Sequence, residues 1–359
     1  MRNLFRFLPL ALALLLVSLG LSCTCSDPKP PSIRFTQGKL VADFAQSMTT
    51  AVRSSDGKWA LGTKEGKVLL YQEGAQKADE ITDVKDAVVK LSFSQDQKKL
   101  FVLAGRTAYW WSLAENRLLR SVRGPEQLMD GVIDDQDRAA YFGTERGFVL
   151  RWAFDQAEAL AVEGVRCTAW AVPSDRRRLP EAKRCTAGTF GETPKGQQVC
   201  LYPVTQMRRR GKRLAVACGD GVISFLQLES RQIRRYQDES VGLINYLDDD
   251  ILLLAARQGQ LTRLELVKST ETQYSFGKVL ARRRLVQVPL LIAASKKYWA
   301  LVSADRVEIF LRDHIRASGA VKTKGKIVWM GLQQQAEELY LLLADGRLVR
   351  HGFEQLPEN

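Results

Sequence analysis

One pattern recurs along this chain and limits what it can fold into. Seven stretches repeat the same order: an apolar strand, a polar turn, a second apolar strand rich in Ala and Leu, a tight turn, and a third, alternating strand. They span residues 51–72, 88–113, 128–154, 199–228, 242–266, 288–313 and 327–353, and the first reads AVRSSDGKWALGTKEGKVLLYQ. The polar turns include SSDGK, SQDQK and DDQDR; the tight turns are KEG, AGR, ERG, GDG, RQG, ADR and ADG. Gly at such a turn supplies the positive φ that a tight hairpin needs. The turn positions Gly66, Arg106, Gly147, Gly221, Gly259, Arg306 and Gly346 lie 40, 41, 74, 38, 47 and 40 residues apart. Helical periodicity is nearly absent, so strands carry the fold.

A period of about 40 residues built from strands matches one four-stranded blade of a radial sheet array. Seven units predict an all-β, seven-bladed β-propeller. The last unit ends at Phe353 with no room for an outer strand, while IRFTQGKLVADF, residues 33–44, precedes the first unit without a partner. This segment is expected to complete the last blade and close the ring, removing the open edges that invite aggregation. The pattern resembles the WD40-like β-propeller family over nearly all of the chain after the N-terminal segment. Trp110-Trp111 and Arg151-Trp152 stand where the family's Trp-Asp ending falls; that dipeptide and the family's Gly-His are absent. The resemblance implies a rigid disc whose loop rims recognise partners.

The interval of 74 residues leaves a surplus over one period, placed at RCTAWAVPSDRRRLPEAKRCTAGTFGETPKG, residues 166–196. An elaborated loop is the preferred reading, and an eighth, degenerate blade the alternative. Cys167, Cys185, Cys200 and Cys218 crowd this region. In an exported chain such crowding reads as disulfides, with three pairings open. A hairpin of VCLYPV and LAVAC turning near Arg208 to Gly211 sets Cys200 nearly opposite Cys218, leaving Cys167 and Cys185 to close the loop. From Arg166 to Arg213 there are twelve basic and three acidic residues, a local charge of +9. The triplets Arg176-Arg177-Arg178 and Arg208-Arg209-Arg210 are candidates for gripping carboxylate or phosphate, with a solvated loop as the alternative.

The chain opens with the three parts of a secretory signal: Arg2 and Arg6, an apolar run from Leu8 to Leu21, and small residues before Cys23. The run is shorter than the roughly 20 apolar residues of a membrane span. Cys23 after small residues resembles the bacterial lipobox, with Gly20 where that motif has Leu. The resemblance implies a signal peptide of residues 1–22, a lipid on Cys23, and a tether over 23–32 whose Ser26-Asp27-Pro28-Lys29-Pro30-Pro31 is stiff and extended. Thr24 in place of the enteric retention residue Asp implies an outer-membrane lipoprotein facing the periplasm or the cell surface. Cleavage after Ser22 without lipidation stays open. The propeller then occupies 33–359. Removing Arg2 and Arg6 takes the formal charge from +13 to +11. Export argues against nucleic acid and for an acidic protein or envelope component.

No catalytic constellation stands out. Gly-x-Ser-x-Gly, Walker-type and His-Glu-x-x-His motifs are absent, and His314 and His351 are the only histidines. The inner strands, read as LSFS, INYL, LLIAA and IVWM, are mostly apolar, and Asp134-Asp135, Asp137 and Asp248-Asp249-Asp250 are read as turn residues. No metal ligand set and no cofactor are expected. The function read from the sequence is a non-catalytic, exported, lipid-anchored propeller scaffold. The alternative is a small-ligand or sugar-phosphate binder or hydrolase using the central channel.

Overall fold

The computed structural model describes residues 30–357 apart from 82–83, 135–137, 167–188, 193–197, 220, 229–232, 238–240, 249–250, 257–258, 271–272 and 334–336. The chain enters through two short strands, β1 (Ile33–Phe35) and β2 (Lys39–Asp43). Four-stranded antiparallel sheets follow. Blade 1 is β3 (Met48–Arg53), β4 (Lys58–Thr63), β5 (Val68–Gln72) and β6 (Asp79–Ile81). Blade 2 is β7 (Val88–Phe93), β8 (Lys99–Ala104), β9 (Thr107–Ser112) and β10 (Arg117–Arg123). Blade 3 is β11 (Leu128–Asp134), β12 (Ala139–Thr144), β13 (Phe148–Ala153) and β14 (Leu160–Arg166). A two-stranded ribbon, β15 (Thr189–Glu192) with β16 (Gln198–Leu201), lies next in the chain.

Blade 4 is β17 (Val204–Arg210), β18 (Arg213–Cys218), β19 (Val222–Gln227) and β20 (Ile233–Gln237). Blade 5 is β21 (Val241–Asp248), β22 (Ile251–Ala256), β23 (Gln260–Thr270) and β24 (Gln273–Arg284). Blade 6 is β25 (Leu291–Ala294), β26 (Tyr298–Ser303), β27 (Arg306–Leu311) and β28 (Gly319–Lys322). Blade 7 is β29 (Ile327–Gln333), β30 (Glu338–Leu343) and β31 (Arg347–Gln355), and β1 and β2 both pair with β31 as its outer strand. The N-terminal segment therefore closes the last blade, as its unpartnered apolar residues require. The described residues form seven blades, and between β14 and β17 they form only the β15–β16 ribbon.

The first strand of each blade is innermost. Neighbouring first strands touch in the cyclic order β3, β7, β11, β17, β21, β25, β29 and back to β3. The core is not one mass but seven layers, one between each pair of blades. The second strands explain this division. In β8, Leu100, Val102 and Ala104 point towards blade 1, while Phe101 and Leu103 point towards blade 3. Successive strand side chains alternate in direction, so a strand sandwiched on both faces must be apolar at every position. The run LFVLA and its counterparts follow from that demand. Gly143 marks a close approach between blades: a Cβ there would lie 2.4 Å from Val204 of the next blade.

The turns refine the sequence reading. Gly66, Gly147, Gly221, Gly259 and Gly346 hold the positive φ expected of them. In blades 2 and 6 the special residue is Gly105 and Ala304, not Arg106 and Arg306, because these turns have only two residues between paired strand ends. Ala304, at φ 49°, pays a left-handed penalty that Gly escapes. Ala304→Gly is expected to raise stability by about 0.5 kcal/mol, the steric relief exceeding the extra chain entropy; an unchanged or lower urea midpoint would refute this. Deleting residues 33–44 strips the outer strand from β31 and leaves its edge bare. The expected outcome is a ring that elutes as aggregates or swapped oligomers in size-exclusion chromatography, against a monodisperse parent.

Candidate binding site at the channel mouth

The ring has two faces. One carries the turns between first and second strands; here it is called the mouth face. The far face carries the turns between second and third strands and the connections from blade to blade. On the mouth face, a cavity of about 580 Å³ opens among the ends of β3, β7, β11 and β17. Arg53, Lys90, Arg208 and Arg209 line it together with Ser55, Gln97, Phe93, Val132 and Ile133.

One repeated position supports its wall. β7, β11 and β17 each carry a β-bulge after the first residue, and the third residue follows it: Lys90, Asp130 and Gln206. An extra residue in one strand re-aims the side chains beyond it. Asp130 is buried and bridges three blades. Its Oδ1 accepts from Lys90 Nζ at 2.9 Å and from its neighbour Gly131 N–H at 2.9 Å. Its Oδ2 accepts from Met207 N–H at 2.8 Å and from Arg208 Nη1 at 3.4 Å. Gln206 repeats the device, its Oε1 accepting from Ile244 N–H of blade 5 at 2.5 Å. Thr49 Oγ1 donates to Val88 O of blade 2 at 2.6 Å, and Asn245 Nδ2 donates to Ile292 O of blade 6 at 3.4 Å. The inner edge of a propeller sheet has no further strand to satisfy its backbone, and these side chains stand in for one.

Two sequence expectations are corrected here. Arg208, Arg209 and Arg210 do not form a rim turn. They end β17, and the turn is Gly211-Lys212. Arg209 Nη2 reaches Asp134 Oδ1 at 2.6 Å, and Asp134 is fully buried as the last residue of β11 rather than a turn residue. Two of the three arginines are therefore half-buried wall residues with carboxylate partners, while Arg210 is exposed. Within inner strands that are mostly apolar, those of blades 2, 3 and 4 carry the polar cluster. The signal was present as a polar third residue in three successive repeats, Lys90, Asp130 and Gln206, but its partners lie on other blades.

The electrostatics follow from burial. Burial alone would push the Asp130 carboxyl up, but Lys90, Arg208 and the Met207 N–H outweigh it and hold it below the usual range. Burial pushes the Lys90 ammonium down, opposed by Asp130. On the same face, between blades 6 and 7, burial and the Glu337 hydrogen bond at 2.9 Å push Tyr298 up to about 12. Among the described residues no three His, Cys, Asp or Glu side chains are grouped to hold a metal ion.

The other sequence-predicted residues lie elsewhere. Cys23, Arg176, Arg177, Arg178, Cys167 and Cys185 fall outside the described residues. Cys200 is on β16, opposite Phe190, and Val204 rather than Cys200 faces Cys218 across the β17–β18 hairpin. Cys218 is fully buried and disulfide-bonded. The insertion leaves β14 and returns to β17 at the far face, whereas Arg208–Arg210 sit at the other end of β17, about 20 Å away at strand rise. The two basic triplets do not share an attachment rim. Asp249 and Asp250 lie outside the described residues, as do Asp135 and Asp137.

Solved structures similar to this chain are WD40 propellers. The Cps50 (Swd1) β-propeller domain of Myceliophteria thermophila has a TM-score of 0.69 at 12% identity, covering 91% of this chain and 100% of that one. The RRP9 WD40 repeats give 0.66 at 11% identity, over 90% and 99% of the two chains, and U3-55K gives 0.63 at 11% over 90% and 100%. At these identities the likeness is one of fold. No family model matches the chain, and no curated protein matches it.

Asp130 sets a pH dependence. A carboxyl held below its unfolded value contributes stability that is complete above about pH 4 and lost as pH falls through the folded value. Asp130→Asn leaves two cations on the wall without their carboxylate, at an expected cost of about 3 kcal/mol at pH 7. The gap between parent and variant should narrow below pH 4. Urea midpoints from pH 2.5 to 7 test this, and a gap that stays constant would refute it.

Proposed function

We propose that this chain is a non-catalytic binding propeller, exported and held at a bacterial outer membrane by a lipid on Cys23, that recruits an acidic protein partner to its mouth face. The observation that carries the reading is the basic cavity at the channel mouth. Its lining presents Arg53, Lys90, Arg208 and Arg209 but neither Asp130 nor Asp134. The entry point of the described chain supports this reading. Ile33 pairs with Gln355, the mouth-face end of β31, so the N-terminal segment enters on the same face as the cavity. An anchored ring would present that face to partners at the membrane. The four internal cysteines fit this address, with Cys200–Cys218 and Cys167–Cys185 as the proposed pairs. Solved structures of similar fold belong to the WD40 propellers, which supports a rigid binding disc. A small anionic ligand in the same cavity is the second reading, favoured by a volume typical of ligand sites.

Two experiments test it. A fatty-acid probe and intact mass should show an acylated chain beginning at Cys23, lost in Cys23→Ala; an unmodified chain would refute the anchor. A photo-crosslinker at Ser55 should trap an acidic protein in the envelope. Ser55→Glu with Gln97→Glu, tested with the crosslinker moved to Ser92, should abolish that adduct, while a crosslinker at Arg106 on the far face should give none. An adduct indifferent to the two glutamates would refute the mouth as the docking face.

A further inference from the structure

We infer that the channel mouth is a carboxylate receptor: Lys90 and Arg208 together take one aspartate or glutamate side chain of the partner. This rests on the binding reading above and names the group that is bound.

The charge count comes first. Among the described residues, Asp130 is the shared carboxylate of Lys90 and Arg208. Asp134 is held by Arg209. Arg53 and Arg350 share Glu73 at 3.7 and 3.3 Å, and Glu338 lies 3.4 Å from Arg350, so this group of two cations and two carboxylates adds nothing net. Three cations against two carboxylates leave one positive charge at the base of the cavity. A lone excess charge in a partly desolvated site is costly, and one monoanion neutralises it. A phosphate monoester, near −2 at neutral pH, would over-neutralise it and leave a buried negative charge.

The donor geometry agrees. Each oxygen of Asp130 already accepts from two donors, so that carboxylate is saturated. Its two cations are not. Lys90 uses one of its three N–H groups on Asp130. Arg208 uses Nη1, on Asp130 and on Met207 O at 2.8 Å. The remaining donors belong to side chains that line the cavity, where Asp130 itself does not reach. An arginine fork and an ammonium suit a carboxylate's two oxygens. Beside them Phe93, Val132 and Ile133 offer apolar surface to the methylene stem of an incoming acidic side chain.

Isothermal titration calorimetry on the full chain at low ionic strength tests the inference, with hexaglutamate, hexaglutamine and inorganic phosphate as probes. Hexaglutamate should bind and hexaglutamine should not, and phosphate should bind at least tenfold more weakly than hexaglutamate. Lys90→Met removes the excess charge and should weaken hexaglutamate at least tenfold. Asp130→Asn keeps an acceptor for Met207 N–H and releases both cations, and should tighten it about threefold or more. The two variants move binding in opposite directions, which a general loss of folding cannot mimic. Equal hexaglutamate affinity in parent and Lys90→Met would overturn the inference, and so would phosphate binding more tightly than hexaglutamate. If either occurs while the Ser92 crosslink still responds to the glutamate pair, the docking face stands and only the carboxylate assignment falls.

Discussion

Burial of the second strands on both faces is the constraint from which the rest of this structure follows. Ala60, Leu61, Phe101, Val102, Ala140, Phe142, Trp299 and Leu341 are all fully or almost fully buried, each set in a layer between two blades. A sheet that is apolar on both faces cannot stand alone in water. It needs a neighbour on each side, and the only arrangement in which every sheet has two neighbours is a closed ring. Blade 7 shows the consequence. Its three C-terminal strands supply a core layer on each side, yet the outer strand is borrowed from β1 and β2, with Ile33 and Phe353 packed in the layer shared with blade 6. Ring closure thus joins the two ends of the chain and ties the fold to its entry segment.

The inner strands face a different problem. Their outer neighbours in the sheet satisfy one backbone edge, but the other edge looks into the channel. Thr49, Asp130, Gln206 and Asn245 meet this by reaching across to the next blade's backbone. Such buried polar contacts add little net stability compared with apolar packing but are costly to break. They fix the angle at which one blade meets the next. In blades 2 to 4 charged groups share this work, and a surplus cation at the mouth is the by-product that gives this face its chemistry.

The segments that carry the two basic triplets attach at opposite faces of the ring, and at Arg208 and Arg209 position overrides composition. Both read as Arg-Arg-Arg in the sequence. Arg208 and Arg209 end an inner strand, where Asp130 and Asp134 of blade 3 lie within reach, and they become a half-buried wall. Arg176 to Arg178 belong to an insertion rooted on the opposite face. A charge run gives the sign of a surface, but the strand register decides whether the charges meet partners or solvent.

The repeat was legible because each blade solves the same local problem. A strand buried on both faces must be apolar throughout, and a tight turn must carry a residue that tolerates positive φ, so LFVLA, WALG and the glycines after them announce the blades without any three-dimensional information. The unpartnered segment 33–44 announced the closure for the same reason, since Ile33 and Phe35 needed an apolar home. Turn detail was less legible: Ala304, not a glycine or Arg306, takes the left-handed place in blade 6, because packing of the flanking strands sets the turn length. The site could not be read at all from neighbouring letters. Lys90, Asp130 and Arg208 are 40 and 78 residues apart in sequence, and a pairing between blades leaves no local periodicity. The sequence by itself determined the strand repeat and the closed ring, since burial acts residue by residue. Only the tertiary structure decided which charges meet across the blades, because that depends on the bulges and on the angle at which one sheet is set against the next.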